Sequence, residues 1–393
     1  MTTHTREAAR LAELVRGAVE LEHGPDGVRA HRLPAWARAQ TTDPLLQAAQ
    51  SQPAGVRLTF ASEATVVELD AHATRVGYRG APLRPAGVFE LAVDGAVVGR
   101  ASLTEATVVM TDLATGAVTA EPAGASTLRF NGLAPGTKRV DVWLPHNETV
   151  ELVALRTDAP VEPWPTTAPV WLHHGSSISQ GSNAVHPSGT WPAVAATLAG
   201  ADLLNLGFGG SAMVDQLVAR TIRDLPADAI SLKLGINVVN ADAMRVRAFE
   251  SAVHGFLDTV RDGHPTTPLL LVSPVLCPIH EHTPGPGAFD EAALAQGRIG
   301  FRATGDPAEV AAGRLTLTVI RDVLARVVEA RRADDPHLHH LDGRELYGEG
   351  DAQAHPLPDD LHPDPATHRL MGTRFAELAL LPDSPVPLVR TGG

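Results

Sequence analysis

The sequence predicts a mixed α/β protein in which an all-β region precedes an α/β region. Residues 45–157 contain short apolar runs separated by Gly, Pro, Asp and Asn, a pattern typical of a β-sandwich. After residue 170, buried-strand patterns alternate with helical ones, which favours a parallel sheet with helices on both faces. Residues 158–169 hold four prolines in twelve positions, so they are interpreted as a stiff linker.

Composition limits the kinds of partner and compartment. The 393-residue chain has a formal net charge of −13 and no cluster of Lys or Arg, so binding to nucleic acid or to an anionic membrane is not expected. Its one cysteine, Cys277, excludes an intrachain disulfide. The N-terminal stretch Met1–Glu22 carries charges throughout, unlike a secretory signal. We therefore expect a cytoplasmic protein, unless a leader has been removed, and leave the oligomeric state open.

The N-terminal elements follow from local pattern. Residues 1–44 are expected to form a helix, on the spacing of Leu11, Leu14, Val15 and Val19, and an extended lead-in. Asp94-Gly95 between two apolar runs predicts a hairpin. The predicted strands are Val56–Phe60, Val66–Asp70, Phe89–Val93, Val98–Leu103, Thr107–Met110, Thr127–Phe130, Arg139–Leu144 and Val150–Arg156.

In the predicted C-terminal domain, residues 170–393, the sequence pattern predicts strands that alternate with helices. Asp364 is the expected N-cap of the last helix, with Pro365 in its first turn. Residues 278–313 show no period and many Pro and Gly residues, which suggests a lid or a pocket wall. The predicted strands are Val170–His174, Asp202–Asn205, Ala229–Leu234, Leu269–Val275 and Leu338–Leu341, and the predicted helices are Trp191–Leu198, Val214–Leu225, Ala243–Asp262, Leu315–Arg332 and Pro365–Leu380.

A serine stands directly after the first strand of this region. In Gly175-Ser-Ser-Ile-Ser179, a serine in a Gly-flanked turn can present its hydroxyl at the sheet edge where open α/β sheets keep their ligands. Ser177 is the candidate nucleophile, and Ser176 and Ser179 are its rivals. The alternative is an ordinary turn or helix cap.

Two later strand ends offer donors for an oxyanion. Gly210 lies in a Gly-rich turn after the second strand, where a backbone N–H can approach a ligand without a Cβ in the way. Asn237 follows the third strand, and its side-chain amide is a suitable neutral donor. The alternatives at Gly210 are a strand-to-helix turn or a phosphate loop, although the segment has neither the glycine spacing nor the lysine of a Walker loop. The alternative for Asn237 is a turn former.

An acid–base pair precedes the last predicted helix. Asp359 stands three residues before His362, so the carboxylate can accept from the imidazole Nδ1 and leave Nε2 free to face a serine. The alternative is a capped helix start.

Together these segments resemble the four sequence blocks of the SGNH (GDSL-type) hydrolases. The blocks are Gly175-Ser-Ser-Ile-Ser179, Asn205-Leu-Gly-Phe-Gly-Gly210, Gly235-Ile-Asn237 and Asp359-Asp-Leu-His-Pro363, in family order. The resemblance covers about residues 170–382 and implies a flavodoxin-like three-layer α/β/α domain. Ser176 stands where the family usually has Asp. A β-sandwich before such a domain also resembles carbohydrate esterases in which a jelly-roll domain comes first.

The resemblance also implies roles for individual residues. Ser177 would be the nucleophile, His362 the general base and Asp359 the residue that orients it. The backbone N–H groups of Ser177 and Gly210 and the side chain of Asn237 would form the oxyanion hole. No metal and no organic cofactor would be required.

Three histidines are candidates for a substrate pocket. His174 lies just before the serine turn, and His280 and His282 follow a strand end. The alternative for His174 is a core strand residue, and for the His-x-His pair a metal site, for which no third ligand has an evident spacing. Cys277 is interpreted as a buried apolar residue, with a catalytic thiol as the alternative.

The resulting functional prediction is a serine esterase. It would hydrolyse a small acyl ester, with acetyl preferred, of a sugar, a glycoside or a related small molecule through an acyl-enzyme intermediate. Two alternatives stay open: a catalytically degenerate binding protein of the same fold, and an acyltransferase with the same triad.

Overall fold

A computed structural model describes residues 3–112 and 115–388 of the chain. They form two compact units: the N-terminal unit comprises residues 1–34, 50–167 and 185–188, and the C-terminal unit comprises residues 35–49, 168–184 and 189–393. This grouping differs from the predicted domain ranges because residues 35–49 pack with the C-terminal unit and residues 185–188 with the N-terminal one. The last five residues of the predicted hydrolase range lie outside the described part.

The N-terminal unit is built mainly from strands. Helix α1 (Ala8–Leu11) follows its first strand. The short helices α2 (Ala35–Gln40) and α3 (Pro44–Ser51) come after its fourth strand in the chain, but α2 and most of α3 belong to the C-terminal unit. The strands are β1 (His4–Glu7), β2 (Val15–Arg16), β3 (Glu20–His23), β4 (Val28–His31), β5 (Arg57–Ser62), β6 (Val66–Tyr78), β7 (Phe89–Val93), β8 (Ala96–Ala101), β9 (Thr107–Thr111), β10 (Val118–Glu121), β11 (Ser126–Asn131), β12 (Lys138–Trp143), β13 (Thr149–Thr157) and β14 (Val161–Pro163).

These strands form an eight-stranded and a six-stranded sheet. Side chains of both sheets share one buried apolar cluster, which includes Leu69 and Leu152 from the larger sheet and Phe60 and Val140 from the smaller one. Alternating inward-facing residues explain this core, because successive side chains of a strand point to opposite faces. That the unit is a jelly-roll-like β-sandwich stays a prediction.

The eight predicted strands all occur, with ends shifted by a few residues in most cases. The hairpin at Asp94-Gly95 is confirmed by the antiparallel pairing of β7 and β8. The helix predicted within residues 1–22 is wrong beyond one short turn, because β1 pairs with β13 and β3 pairs with β4. Partners distant in sequence overrode the local helical spacing. The proline-rich linker also contains a paired strand, β14, which lies against β5.

The C-terminal unit alternates strands and helices. Its strands are β15 (Val170–Gly175), β16 (Asp202–Gly207), β17 (Ala229–Lys233), β18 (Leu269–Val272), β19 (Gly287–Phe289), β20 (Phe301–Ala303) and β21 (Leu338–Leu341). Its further helices are α4 (Ser177–Gln180), α5 (Trp191–Ala199), α6 (Gln216–Asp224), α7 (Ile236–Asn240), α8 (Val246–Gly263), α9 (Pro278–Glu281), α10 (Glu291–Ala295), α11 (Leu317–Arg331), α12 (Glu349–Ala354) and α13 (Pro365–Phe375).

Five of these strands form a parallel sheet in the order β16-β15-β17-β18-β21. This is the 2-1-3-4-5 order of flavodoxin-like sheets, in which ligands bind at the carboxyl ends of the strands beside the switch point between the first and third strands. Helix α5 packs with α13, whereas α6 and α11 both pack with α8. The right-handed crossovers that are usual between parallel strands would account for these two groups. The predicted strands and main helices of this region are confirmed, and Asp364 caps α13 by accepting from the Thr367 N–H at 2.7 Å.

Residues 278–313 form short elements. Strands β19 and β20 pair as a two-stranded antiparallel ribbon, with α10 in the connection between them. No helix in the described ranges is both long enough and apolar enough to cross a bilayer.

Candidate active site

The candidate nucleophile, Ser177, is the first residue of the short helix α4, one residue after the end of the inner strand β15. A Cβ at Gly175 would overlap the Ser179 hydroxyl, so only glycine allows the strand to turn this closely into the helix. Ser176 and Ser179 are fully buried, and Ser179 is hydrogen-bonded to a core histidine, whereas Ser177 is half-buried. Of the three serines, Ser177 alone is both accessible and adjacent to the candidate base.

Ser177, His362 and Asp359 form a continuous hydrogen-bonded chain. The Ser177 Oγ lies 2.9 Å from His362 Nε2, and His362 Nδ1 lies 2.9 Å from Asp359 Oδ2. The other carboxylate oxygen accepts the backbone N–H groups of Leu361 and His362 at 3.1 and 2.7 Å. A carboxylate can only accept, so Nδ1 carries the proton and Nε2 is free to take one from the serine.

The surroundings keep Asp359 ionised. Burial by itself would raise the pKa of the carboxyl, but the hydrogen bond from His362, the charge of that ring and the bond from Asn183 outweigh it and lower the pKa to about 2. Asn183 Nδ2 donates to Asp359 Oδ2 at 3.1 Å. Sequence reasoning missed Asn183, because an Asn six residues after a serine carries no signal that distinguishes it from a turn former.

A buried histidine holds the turn on which Asn183 lies. His368 Nε2 donates to the Ser182 carbonyl at 2.8 Å, and its Nδ1 accepts the Trp191 N–H at 3.3 Å. Burial lowers the pKa of His368 to about 4, so the ring is neutral at pH 7. One ring nitrogen can then donate to a backbone carbonyl while the other accepts a backbone N–H. The next residue, Asn183, has a φ of 67°, a left-handed conformation that Asn tolerates better than most residues.

Two of the three candidate oxyanion donors follow β16 and β17: Gly210 lies on the turn after β16, and Asn237 lies in the short helix α7 after β17. The Gly209 N–H donates a hydrogen bond to Gln180 Oε1 at 2.7 Å. The next residue, Gly210, has a left-handed backbone conformation with a φ of 74°. Asn237 Oδ1 accepts the Ala212 N–H at 3.1 Å, which leaves the amide nitrogen of this buried side chain as the end that can donate.

The two histidines before the serine turn lie in the core. His173 is hydrogen-bonded through Nε2 to the Ser179 hydroxyl at 2.8 Å and through Nδ1 to the Ser231 hydroxyl at 2.7 Å. Burial lowers the pKa of His173 well below the usual range. His174 is 1% exposed and stacks on Phe256 on the opposite face. His174 therefore does not line a pocket, contrary to prediction, because strand alternation directs it under the helix layer.

The other candidate pocket residues and Cys277 do not form a second reactive centre. His280 is buried, with Nδ1 3.1 Å from the Thr283 carbonyl, and its neighbour His282 is exposed. No group of three His, Cys, Asp or Glu side chains in the described ranges is placed to hold a metal ion. Burial raises the pKa of the Cys277 thiol to about 12, so the thiolate required for nucleophilic attack is disfavoured. A pocket role for His280 and His282 stays a prediction.

The ribbon β19–β20 brings an aromatic ring to the imidazole. The Phe301 ring meets His362 edge to face, with 5.4 Å between centroids and 77° between planes. The Phe301 N–H donates to the Asp359 carbonyl at 3.0 Å. Part of residues 278–313 therefore forms a wall beside the candidate base, and sequence reasoning did not identify this phenylalanine. That the segment acts as a lid stays a prediction.

Comparison with known proteins supports the resemblance. Residues 169–277, which carry Ser177, Gly210 and Asn237, match the model of the GDSL-like lipase/acylhydrolase family. No protein of curated function matches the chain by sequence.

Solved structures similar to the chain cover both units. A salicylyl-acyltransferase, SsfX3, from a tetracycline biosynthetic pathway is 25% identical, with a TM-score of 0.77 over 95% of both chains. A family two carbohydrate esterase from Clostridium thermocellum, in complex with cellohexaose, is 13% identical, with a TM-score of 0.58 over 92% of this chain and 97% of the other. The acetyl xylan esterase Est2A from the rumen bacterium Butyrivibrio proteoclasticus is 11% identical, with a TM-score of 0.55 over 96% and 97%. The last two likenesses concern the fold alone.

Proposed function

We propose that this chain, whose C-terminal unit carries a GDSL-like lipase/acylhydrolase domain, is a serine esterase that acts through an acyl-enzyme. The observation that carries the proposal is the unbroken chain from Ser177 Oγ through His362 to Asp359, with 2.9 Å at each side-chain step. A serine hydroxyl is a weak nucleophile until an adjacent base removes its proton. This arrangement supplies that base and fixes its tautomer.

The reaction proceeds in two matched halves. As Ser177 Oγ bonds to the ester carbonyl carbon, its proton moves to His362 Nε2, and the resulting imidazolium is stabilised by Asp359. The N–H groups of Ser177 and Gly210 and the amide of Asn237 hold the carbonyl oxygen as it becomes an oxyanion. The bond to the alcohol oxygen then breaks, and the proton on Nε2 passes to that oxygen. Water repeats these steps on the acyl-enzyme and releases the acid.

For the substrate we propose a small acyl ester, with acetyl preferred, of a sugar, glycoside or related small molecule. Two similar folds belong to a family two carbohydrate esterase and an acetyl xylan esterase, and this likeness supports the choice. No metal or organic cofactor enters the mechanism.

The test is turnover of p-nitrophenyl acetate and labelling by a fluorophosphonate, with Ser177→Ala as the matched variant. Wild-type protein should release p-nitrophenol and accept the label, and the variant should do neither. The variant loses only a hydroxyl from a half-buried side chain, so its thermal unfolding should match wild type. Absence of both signals in folded wild-type protein would contradict the proposal and favour a binding protein of the same fold.

A second candidate is acyl transfer to an alcohol other than water. The similarity to a salicylyl-acyltransferase over 95% of both chains is the observation that favours it. Both reactions share the acyl-enzyme and differ only in the acceptor that attacks it. An added alcohol should divert product from free acid to new ester if transfer is the natural reaction, and product analysis by mass spectrometry separates the two.

A further inference from the structure

We propose that Phe301 is a specificity-determining residue that binds a ring in the alcohol part of the substrate. The inference rests on the proposed acyl-transfer function and adds the chemical class of the alcohol. The two-stranded ribbon β19–β20 carries Phe301 next to the candidate base His362, and the proposed mechanism does not use this contact.

The alcohol oxygen must come within reach of His362. His362 Nε2 gives its proton to that oxygen when the ester bond breaks, so the two atoms approach to about 3 Å in a productive complex. The Phe301 ring centroid lies only 5.4 Å from that of the imidazole, with its plane at 77° to it. The proposal places the substituents one or two bonds beyond the alcohol oxygen on the side of the imidazole that Phe301 covers, within contact distance of its ring.

The ring of Phe301 is held firmly in this place. Its backbone N–H donates to the Asp359 carbonyl at 3.0 Å, so the ribbon is tied to the loop that carries the acid–base pair. Phe289 stands directly opposite in the ribbon, and the two rings stack with 5.2 Å between centroids. A ring fixed in advance loses little conformational entropy on binding, which makes it an effective contact surface.

The stacked rings of Phe289 and Phe301 form an apolar surface, which favours ligands with a flat apolar face. Phe289 and Phe301 are both half-buried, and neither side chain carries a hydrogen-bonding group. Such a surface favours a flat apolar face, which either an aryl ring or the C–H face of a sugar ring provides. An open-chain alcohol offers less contact area. The shared ligand chemistry is therefore a ring with one apolar face, attached close to the ester oxygen.

The test compares Phe301→Ala, Phe301→Tyr and wild type on acetate esters that differ only in the alcohol. Phenyl acetate and a mono-acetylated methyl glucoside are the two ring arms, and ethyl acetate is the open-chain reference. Phe301→Ala should lower kcat/KM for at least one ring ester about tenfold more than for ethyl acetate, whereas Phe301→Tyr should keep most of the preference. Taking variant-to-wild-type ratios for each ester removes differences in leaving-group reactivity.

Leu198→Ala is the matched control. Leu198 is an apolar side chain of the same unit, 52% exposed on helix α5, and the proposed mechanism does not use it. The substitution should therefore leave the preference for ring alcohols unchanged. Loss confined to the phenyl arm assigns an aryl alcohol, and loss confined to the glucoside arm assigns a sugar.

Binding to the Ser177→Ala variant separates this inference from the proposed function. Phenol and methyl glucoside would be titrated by ligand-observed NMR against Ser177→Ala with Phe301 intact or changed to Ala. Ring-dependent binding that requires Phe301 would support the inference even if wild type hydrolysed no ester. An equal loss of kcat/KM on all three esters, or binding indifferent to Phe301, would overturn it, because Phe301 would then only support the His362 ring. Phe301→Tyr retains the ribbon, so it distinguishes lost recognition from misfolding.

Discussion

Replacing Asn237 by Ala tests the oxyanion hole more directly than any other single change. The side chain is 2% exposed, and its Oδ1 accepts the Ala212 N–H at 3.1 Å. That bond occupies the amide oxygen and leaves the amide nitrogen as the donor, and the burial of the side chain limits replacement of this donor by water. Loss of one such donor costs about 10²–10³ in kcat, or roughly 2.7–4 kcal/mol of transition-state stabilisation.

The same substitution has a separate effect on stability. Ala212 is 1% exposed, and without Asn237 its N–H would be buried with no acceptor, at a cost of about 1–3 kcal/mol. We therefore expect Asn237→Ala to lower kcat on p-nitrophenyl acetate with little change in KM, and to lower the free energy of unfolding measured in urea. KM should change little because the oxyanion forms only after the substrate has bound.

Asn240→Ala is the control for this experiment. Asn240 is the same residue type on the same short helix, one turn further along, and it has no place in the proposed mechanism. Its kcat should stay close to wild type. If Asn237→Ala reduced kcat no more than Asn240→Ala, while Ser177→Ala abolished turnover, the assignment of Asn237 as an oxyanion donor would be refuted.

Two further predictions concern stability. The pKa of Asp359 is lowered from 3.8 to about 2, so this group contributes about 2 kcal/mol that is fully present above pH 4 and disappears as the pH falls through 2. Asp359→Asn should therefore be less stable than wild type in urea at pH 6, and the difference should narrow by pH 2.5; a constant difference would count against the linkage. Gly175→Ala should lower stability by about 1–3 kcal/mol in thermal unfolding, because the new Cβ would overlap the Ser179 hydroxyl. The added change Ser179→Ala should recover part of that loss, whereas an unimpaired single variant would contradict the clash.

Local pattern was sufficient where a segment's structure depends on its own residues. Asp364 and Pro365 marked the start of α13, and the Asp364 carboxylate does accept the Thr367 N–H. Asp94-Gly95 likewise marked a hairpin, since both residues take the positive φ values that such a turn requires. The same reasoning failed within residues 1–22, where pairing with β13 and β4 replaced the predicted helix.

The chain by itself therefore determined the order of elements, the parallel α/β character of the C-terminal half and the short list of candidate reactive residues. Those properties follow from periodicity, caps and residue chemistry within short windows. Only the tertiary structure showed that Ser176 and Ser179 are buried whereas Ser177 is partly exposed, moved His174 into the core, and brought Asn183 and Phe301 to the acid–base pair. These outcomes depend on which strands become neighbours and which way each side chain faces, and packing across the whole unit decides both.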